Sequence, residues 1–164
     1  MILGLDASTF TGLHVVISLV AIAAGLILLA GMLRGEHLPV VAAVFLATTI
    51  LTSVTGFFFP TGGITPGQII GAISLAVLAL AVFALYAKRL HGPWRTIYVA
   101  GSVLALYLNG FVAVVQAFQK VEPLAKLAPT QSELPFVLAQ SAVLIAFLGL
   151  GWTSVKRFRN AVAP

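Results

Sequence analysis

From Phe10 to Leu33 the chain carries no Asp, Glu, Lys or Arg. That run exceeds the ~20 apolar residues a helix needs to cross the hydrocarbon core of a bilayer. In hydrocarbon no water satisfies backbone N–H and C=O groups, so a lone run of this kind is confined to a helix. Four more runs share the property, at about 40–58, 66–87, 95–119 and 133–155, with charge only at their edges (Arg95 and Glu133). The sequence therefore predicts an all-α fold: a polytopic membrane protein with a bundle of five transmembrane helices, forming a single integral-membrane domain over residues 1–164. Composition agrees, because 8% charged residues against 60% hydrophobic is far below the ~25% charge of soluble domains.

Local signals place the span ends. Ser8 or Thr9 is available as N-cap for the first helix, and Arg34-Gly-Glu-His-Leu-Pro39 closes it and opens the second with a proline in the first turn. The second helix is expected to stop at Phe58, before Phe59-Pro60. Thr65-Pro-Gly-Gln68 reads as a capping box with proline at N1, and Lys88-Arg89 closes the third helix. The link Lys120 to Gln131, with Pro123 and Pro129, predicts a turn or a short helix on the membrane surface. Thr130-Gln-Ser-Glu133 offers a second capping box for the fifth span, with Pro135 in its first turn. No positively charged n-region or small-residue cleavage site marks Met1 to Thr9 as a secretory signal, so the first run is read as a retained helix.

Charge supplies orientation. Five spans put the termini on opposite sides. Arg34, Lys88, Arg89, Arg95, Lys156, Arg157 and Arg159 then share one side and Lys120 and Lys126 the other, seven and two recovering all nine basic residues. The richer side is expected to be cytoplasmic, with the N-terminus outside, the C-terminus cytoplasmic and a bacterial inner (plasma) membrane as the location. Trp94, Tyr98 and Trp152 fall at the cytoplasmic level, as an interfacial belt would. Phe57-Phe-Phe59 is read as lipid-facing or as an interfacial anchor, and Lys120, Glu122, Lys126 and Glu133 as a solvated rim. The net charge of +5 is thereby topological; no basic surface exists for nucleic acid.

At 1.5 Å of rise per residue, the most polar residue of every span lies in its outer half: His14, Thr52, Gln68, Gln116 and Gln140, with Asn109 nearer the middle. Ser102, Ala105, Asn109, Ala113, Gln116 and Lys120 recur at steps of three and four along one side of the fourth span, with Val112 on a neighbouring face. Two readings account for such stripes. Small and polar residues are the ordinary contacts between membrane helices; alternatively they line a pocket reachable from outside. Packing contacts need no bias to one leaflet, and the bias favours the pocket. His14, Thr52, Asn109, Gln116 and Gln140 are the candidate ligand-binding residues, with His14 expected to bond to Thr52 or Gln140 and to lie within reach of the fourth or fifth span.

The sequence has no cysteine, which removes disulfides, thiolate metal sites and iron–sulfur clusters. His37 and His91 lie at the opposite end from His14, so no axial pair for a haem is supplied, and no metal site is expected. No nucleophile–base set or phosphate loop is present. The expectation is a small, non-enzymatic membrane protein whose cofactor is open. A quinone- or lipid-like molecule, hydrophobic or amphipathic, would suit a pocket of this kind. The alternatives are an accessory subunit of a larger membrane complex or a homo-oligomer whose stripes are helix contacts, and thirdly a small solute transporter. The lipid bilayer itself is an expected partner of such a chain.

Overall fold

The computed structural model describes residues 1–161, with side chains through Phe158; the Arg159 side chain and the Val162–Pro164 tail lie outside the described residues. The described chain consists of α1 (Ala7–Arg34), α2 (Pro39–Gly56), α3 (Pro66–Val82, continued by a wide turn over Phe83–Ala87), α4 (Trp94–Lys120), a short α5 (Glu122–Leu127) and α6 (Leu134–Ala161). All except α5 are long and apolar enough to cross a membrane. The chain is an all-helical protein of the integral-membrane type.

The helix ends follow from caps, in places not the expected ones. α1 begins two residues early because Asp6, not Ser8 or Thr9, is its N-cap. Its carboxylate accepts the Thr9 N–H at 2.9 Å and the Thr9 hydroxyl at 2.6 Å, where a negative charge also suits the helix dipole. These hydrogen bonds hold the Asp6 carboxyl below the usual range, the Thr9 hydroxyl contributing most. Gly35 ends α1 at φ +77°, a left-handed conformation that lets the Glu36 N–H reach back to the Gly31 carbonyl at 2.8 Å. α2 stops at Gly56, short of Phe58, because Phe57 and Phe58 turn back to the carbonyls of Val54 and Thr55, both at 3.1 Å. The Thr65–Gln68 capping box forms in both directions, at 3.0 and 3.2 Å. The second proposed box forms only in part: Glu133 accepts the Thr130 N–H at 3.1 Å, yet α6 starts at Leu134, a turn later than a Thr130 cap would give. Pro135 does lie in that first turn, and the Lys120–Gln131 link does contain a short helix, α5.

α1, α2, α3 and α4 pack in sequence, α1 also touches α4, and α6 lies against α4 and α1. This arrangement gathers Arg34, Lys88, Arg89, Arg95, Lys156 and Arg157 at one end, hereafter the basic end; the other end holds the start of α1 and the loop after α2. The hydrophobic core belongs to the basic end. Leu28 and Met32 of α1, Phe45 and Leu46 of α2, Leu78 of α3, Tyr98, Val99 and Leu106 of α4 and Phe158 of α6 are all buried there. Tyr98 is therefore a core residue packed near Phe158, with ring centroids 6.1 Å apart, and not part of an interfacial belt. Trp152 is exposed, with Lys156 Nζ 4.6 Å over its ring. Arg157 donates to the Leu33 carbonyl at 3.0 Å, tying α6 to the end of α1.

Midway along the bundle the helices meet closely. A Cβ placed on Gly25 would lie 2.5 Å from Leu106 Cδ1 and 2.9 Å from the Phe45 ring, so glycine is what allows α1, α2 and α4 to converge. Beyond this waist they separate.

Candidate functional site

The separation leaves a cavity of about 790 Å³ between α1, α2, α3 and α4, away from the basic end. Its levels can be followed along the helices. Lys120, Gln68, Thr61 and Thr65 stand at the rim; His14, Gln116, Gly56 and Phe59 stand below them; Ser18, Thr52, Ser53, Ser74 and Asn109 form the floor. Val15, Leu19, Ile70, Leu108 and Val112 supply apolar wall. From Lys120 to Asn109 is eleven residues of helix, roughly 16 Å of depth at 1.5 Å per residue.

Of the five sequence candidates, His14, Thr52, Asn109 and Gln116 line this one cavity, and Gln140 does not. Gln140 donates instead to the Phe111 carbonyl at 3.1 Å, on the side of α4 that faces α6. Its depth along the membrane matches the others, but depth alone does not say which side of α4 a neighbouring helix takes. The expected partner of His14 is corrected in the same way. His14 Nδ1 bonds to Thr55 Oγ1 at 2.7 Å, on α2, and to neither Thr52 nor Gln140. The hydroxyl of Thr55 is also within reach of the Leu51 carbonyl, at 2.7 Å; in the tautomer protonated on Nδ1 the imidazole donates to Thr55 and keeps Nε2 as an acceptor. Phe59, expected in lipid or at the interface, closes over this group: its ring centroid is 5.2 Å from both His14 and Phe10. Val112 faces the cavity as well, and so is not a neutral neighbour of the polar stripe.

The stripe on α4 divides at the waist. Ser102 and Ala105 are buried on the basic side, while Asn109, Ala113, Gln116 and Lys120 continue along the cavity wall. Lys120, taken with the rim from sequence, belongs to the site; its place as the last member of the three-and-four series was the signal. Ser74 of α3, not among the five sequence candidates, lines the cavity as well.

The floor is short of hydrogen bonds. Asn109 Nδ2 reaches Thr49 Oγ1 at a long 3.4 Å. Thr52 Oγ1 and Ser74 Oγ have no partner, although Ser74 is only 3% exposed. Most buried hydroxyls in native proteins are satisfied, by protein or by ordered water, and one left bare costs about 1–3 kcal/mol. Ser102 Oγ and Ser154 Oγ on the closed side are bare as well; what sets Thr52 and Ser74 apart is that they face a cavity roomy enough for a water or a ligand atom to bond to them. Among the described residues no cluster of His, Asp and Glu has the composition of a metal site.

Comparison with protein-family models, with characterised proteins and with solved structures finds no match. The functional reading therefore rests on this cavity.

Proposed function

We propose that the chain binds a small hydrophobic or amphipathic molecule, of the size of a quinone or a single-chain lipid, in the cavity between α1 and α4. The observation that carries this reading is a cavity of about 790 Å³ with bare hydroxyls at its floor. Its volume falls within the ~300–1,000 Å³ of ordinary ligand sites, and a mostly apolar wall with a few convergent polar groups is the usual composition of such sites. Asn109, Thr52 and Ser74 offer donors to a carbonyl or hydroxyl at the floor; His14 offers an acceptor halfway up. With the basic end cytoplasmic by the charge rule, the cavity opens in the outer half of a bacterial inner membrane, and the role is binding or carriage without catalysis.

A second reading, an accessory or self-assembling subunit, draws on α6. Leu138, Ile145, Leu148 and Trp152 are exposed along one side of it, at helix spacing. Lipid covers such a stripe as well as a partner would, which ranks this reading below the first. Transport of a small solute ranks third.

The test is retention. Protein purified in a mild neutral detergent is extracted with organic solvent and the extract analysed by mass spectrometry. A molecule present in near-stoichiometric amount, and lost from a folded Ala113→Trp variant that fills the cavity, supports the reading. Extracts of the two proteins that match would overturn it.

A further inference from the structure

The cavity has a charge asymmetry that its size and hydroxyls do not express. Among the described residues Lys120 is the only formally charged side chain that lines it, and no carboxylate does. The three acids at this end of the molecule are each engaged elsewhere. Asp6 caps α1 through Thr9. Glu122, two residues from Lys120, is held by Lys126 at 2.6 Å, one turn along α5. Glu133 accepts from Thr130 and from the Ser132 N–H. The Lys120 ammonium is thus left without an ion pair among the described residues. Gln116, one turn below it on the same wall, and Gln68 across the rim add amide groups. A cation at the mouth of a low-dielectric cleft, with donors beside it and no competing carboxylate, favours one sign of ligand charge.

We propose that the cavity selects an amphiphile with an anionic head group, a carboxylate or phosphate held at the rim by Lys120 with Gln116 beside it, and its apolar part directed down the wall. The inference rests on the reading of the cavity as a ligand site. It narrows that site from any small amphiphile to an anionic one, and ranks a neutral quinone-like molecule second.

The experiment holds the tail constant and varies the head. Protein in neutral detergent is titrated with dodecanoate, dodecanol and dodecyltrimethylammonium, well above the pKa of the acid, with acetate and inorganic phosphate as probes without a tail. Binding is read by calorimetry or thermal shift. Dodecanoate is expected to bind about tenfold tighter than dodecanol, the gain of one charge-assisted contact, with the ammonium compound weakest. Acetate and phosphate should bind far more weakly, since the wall is apolar; equal binding of phosphate would point to a free anion and overturn the amphiphile. Lys120→Gln should abolish the preference for dodecanoate over dodecanol. Lys88→Gln, at the basic end and outside the cavity, should retain the preference. Equal binding of the three dodecyl compounds, blocked by Ala113→Trp, would overturn the charge selection and leave the cavity reading intact. Binding of none of them, or binding that Ala113→Trp does not block, would overturn the cavity reading itself.

Discussion

The two ends of this bundle are built from the same helices and share almost nothing else. Towards the basic end α1, α2, α3 and α4 close on Phe45, Leu46, Leu78, Tyr98 and Leu106, with Phe158 of α6 sealing the side. Towards the other end the same four helices part around a cavity edged with hydroxyls and amides. Small residues do opposite things in the two places. Gly25 permits contact, since any side chain there would strike Leu106 and Phe45; Gly56, Gly67 and Ala113 keep the cavity wall low. Without a hydrophobic drive between helices in lipid, packing and interhelical hydrogen bonds hold a bundle together. The closed end supplies the packing; hydroxyls without a protein partner occur at both ends, Ser102 and Ser154 on the closed side and Thr52 and Ser74 on the open one, where they face a cavity.

If that division is right, the largest losses of stability come from the closed end. Phe45→Ala removes a fully buried ring and should cost about 3–5 kcal/mol, read by reversible unfolding in mixed micelles. Gly25→Val at the waist should cost about 1–3 kcal/mol through overpacking. A cost as large from truncating Val15 or Leu19, on the open wall, would erase the distinction between the ends.

The open end should answer differently. Thr52→Val and Ser74→Ala remove hydroxyls that have no partner, so the empty protein should keep its stability or gain up to about 1 kcal/mol. The same variants should lose retained ligand, measured by extraction and mass spectrometry. A clear loss of stability would mean that those hydroxyls hold structure after all.

The division of labour was only half legible in the sequence. Five charge-free runs state five helices, because hydrocarbon leaves the backbone no other choice. The Thr65–Gln68 box and Pro135 were readable because a cap is local chemistry. The series Asn109–Ala113–Gln116–Lys120 identified one wall of the cavity, since three-and-four spacing specifies a side of a helix. What spacing does not specify is the neighbour on that side. Gln140 was thereby credited to the pocket although it bonds to Phe111 on the far side of α4, and Thr55, one turn from Thr52, proved to be the residue that holds His14. Tyr98 and Phe59 misled for a related reason: an aromatic at interfacial depth turns to lipid or inward according to which helix stands beside it.

The smallest effect belongs to the margin of the open end. Asp6 ionises more readily in the folded protein than in the unfolded chain, through its bonds with Thr9. A depressed folded pKa stabilises above the unfolded value, near 3.8, and that contribution is lost as pH falls through the folded pKa. Hydrogen exchange at the Thr9 amide should therefore quicken, relative to its neighbours, only in strong acid. Asp6→Asn should remove that pH dependence and leave the cavity and the closed core unchanged.

The most direct test of the contrast uses a chain that has no cysteine of its own. Single cysteines are placed at His14, on the cavity wall, and at Ser102, buried on the closed side of the waist. Each variant is treated in sealed vesicles with a membrane-impermeant thiol reagent, from either face. The account predicts that His14→Cys reacts only from the face opposite the basic end and is protected by dodecanoate, while Ser102→Cys stays unreactive from both. Equal reactivity at the two positions, or a His14→Cys variant that folds like the parent and never reacts, would contradict it.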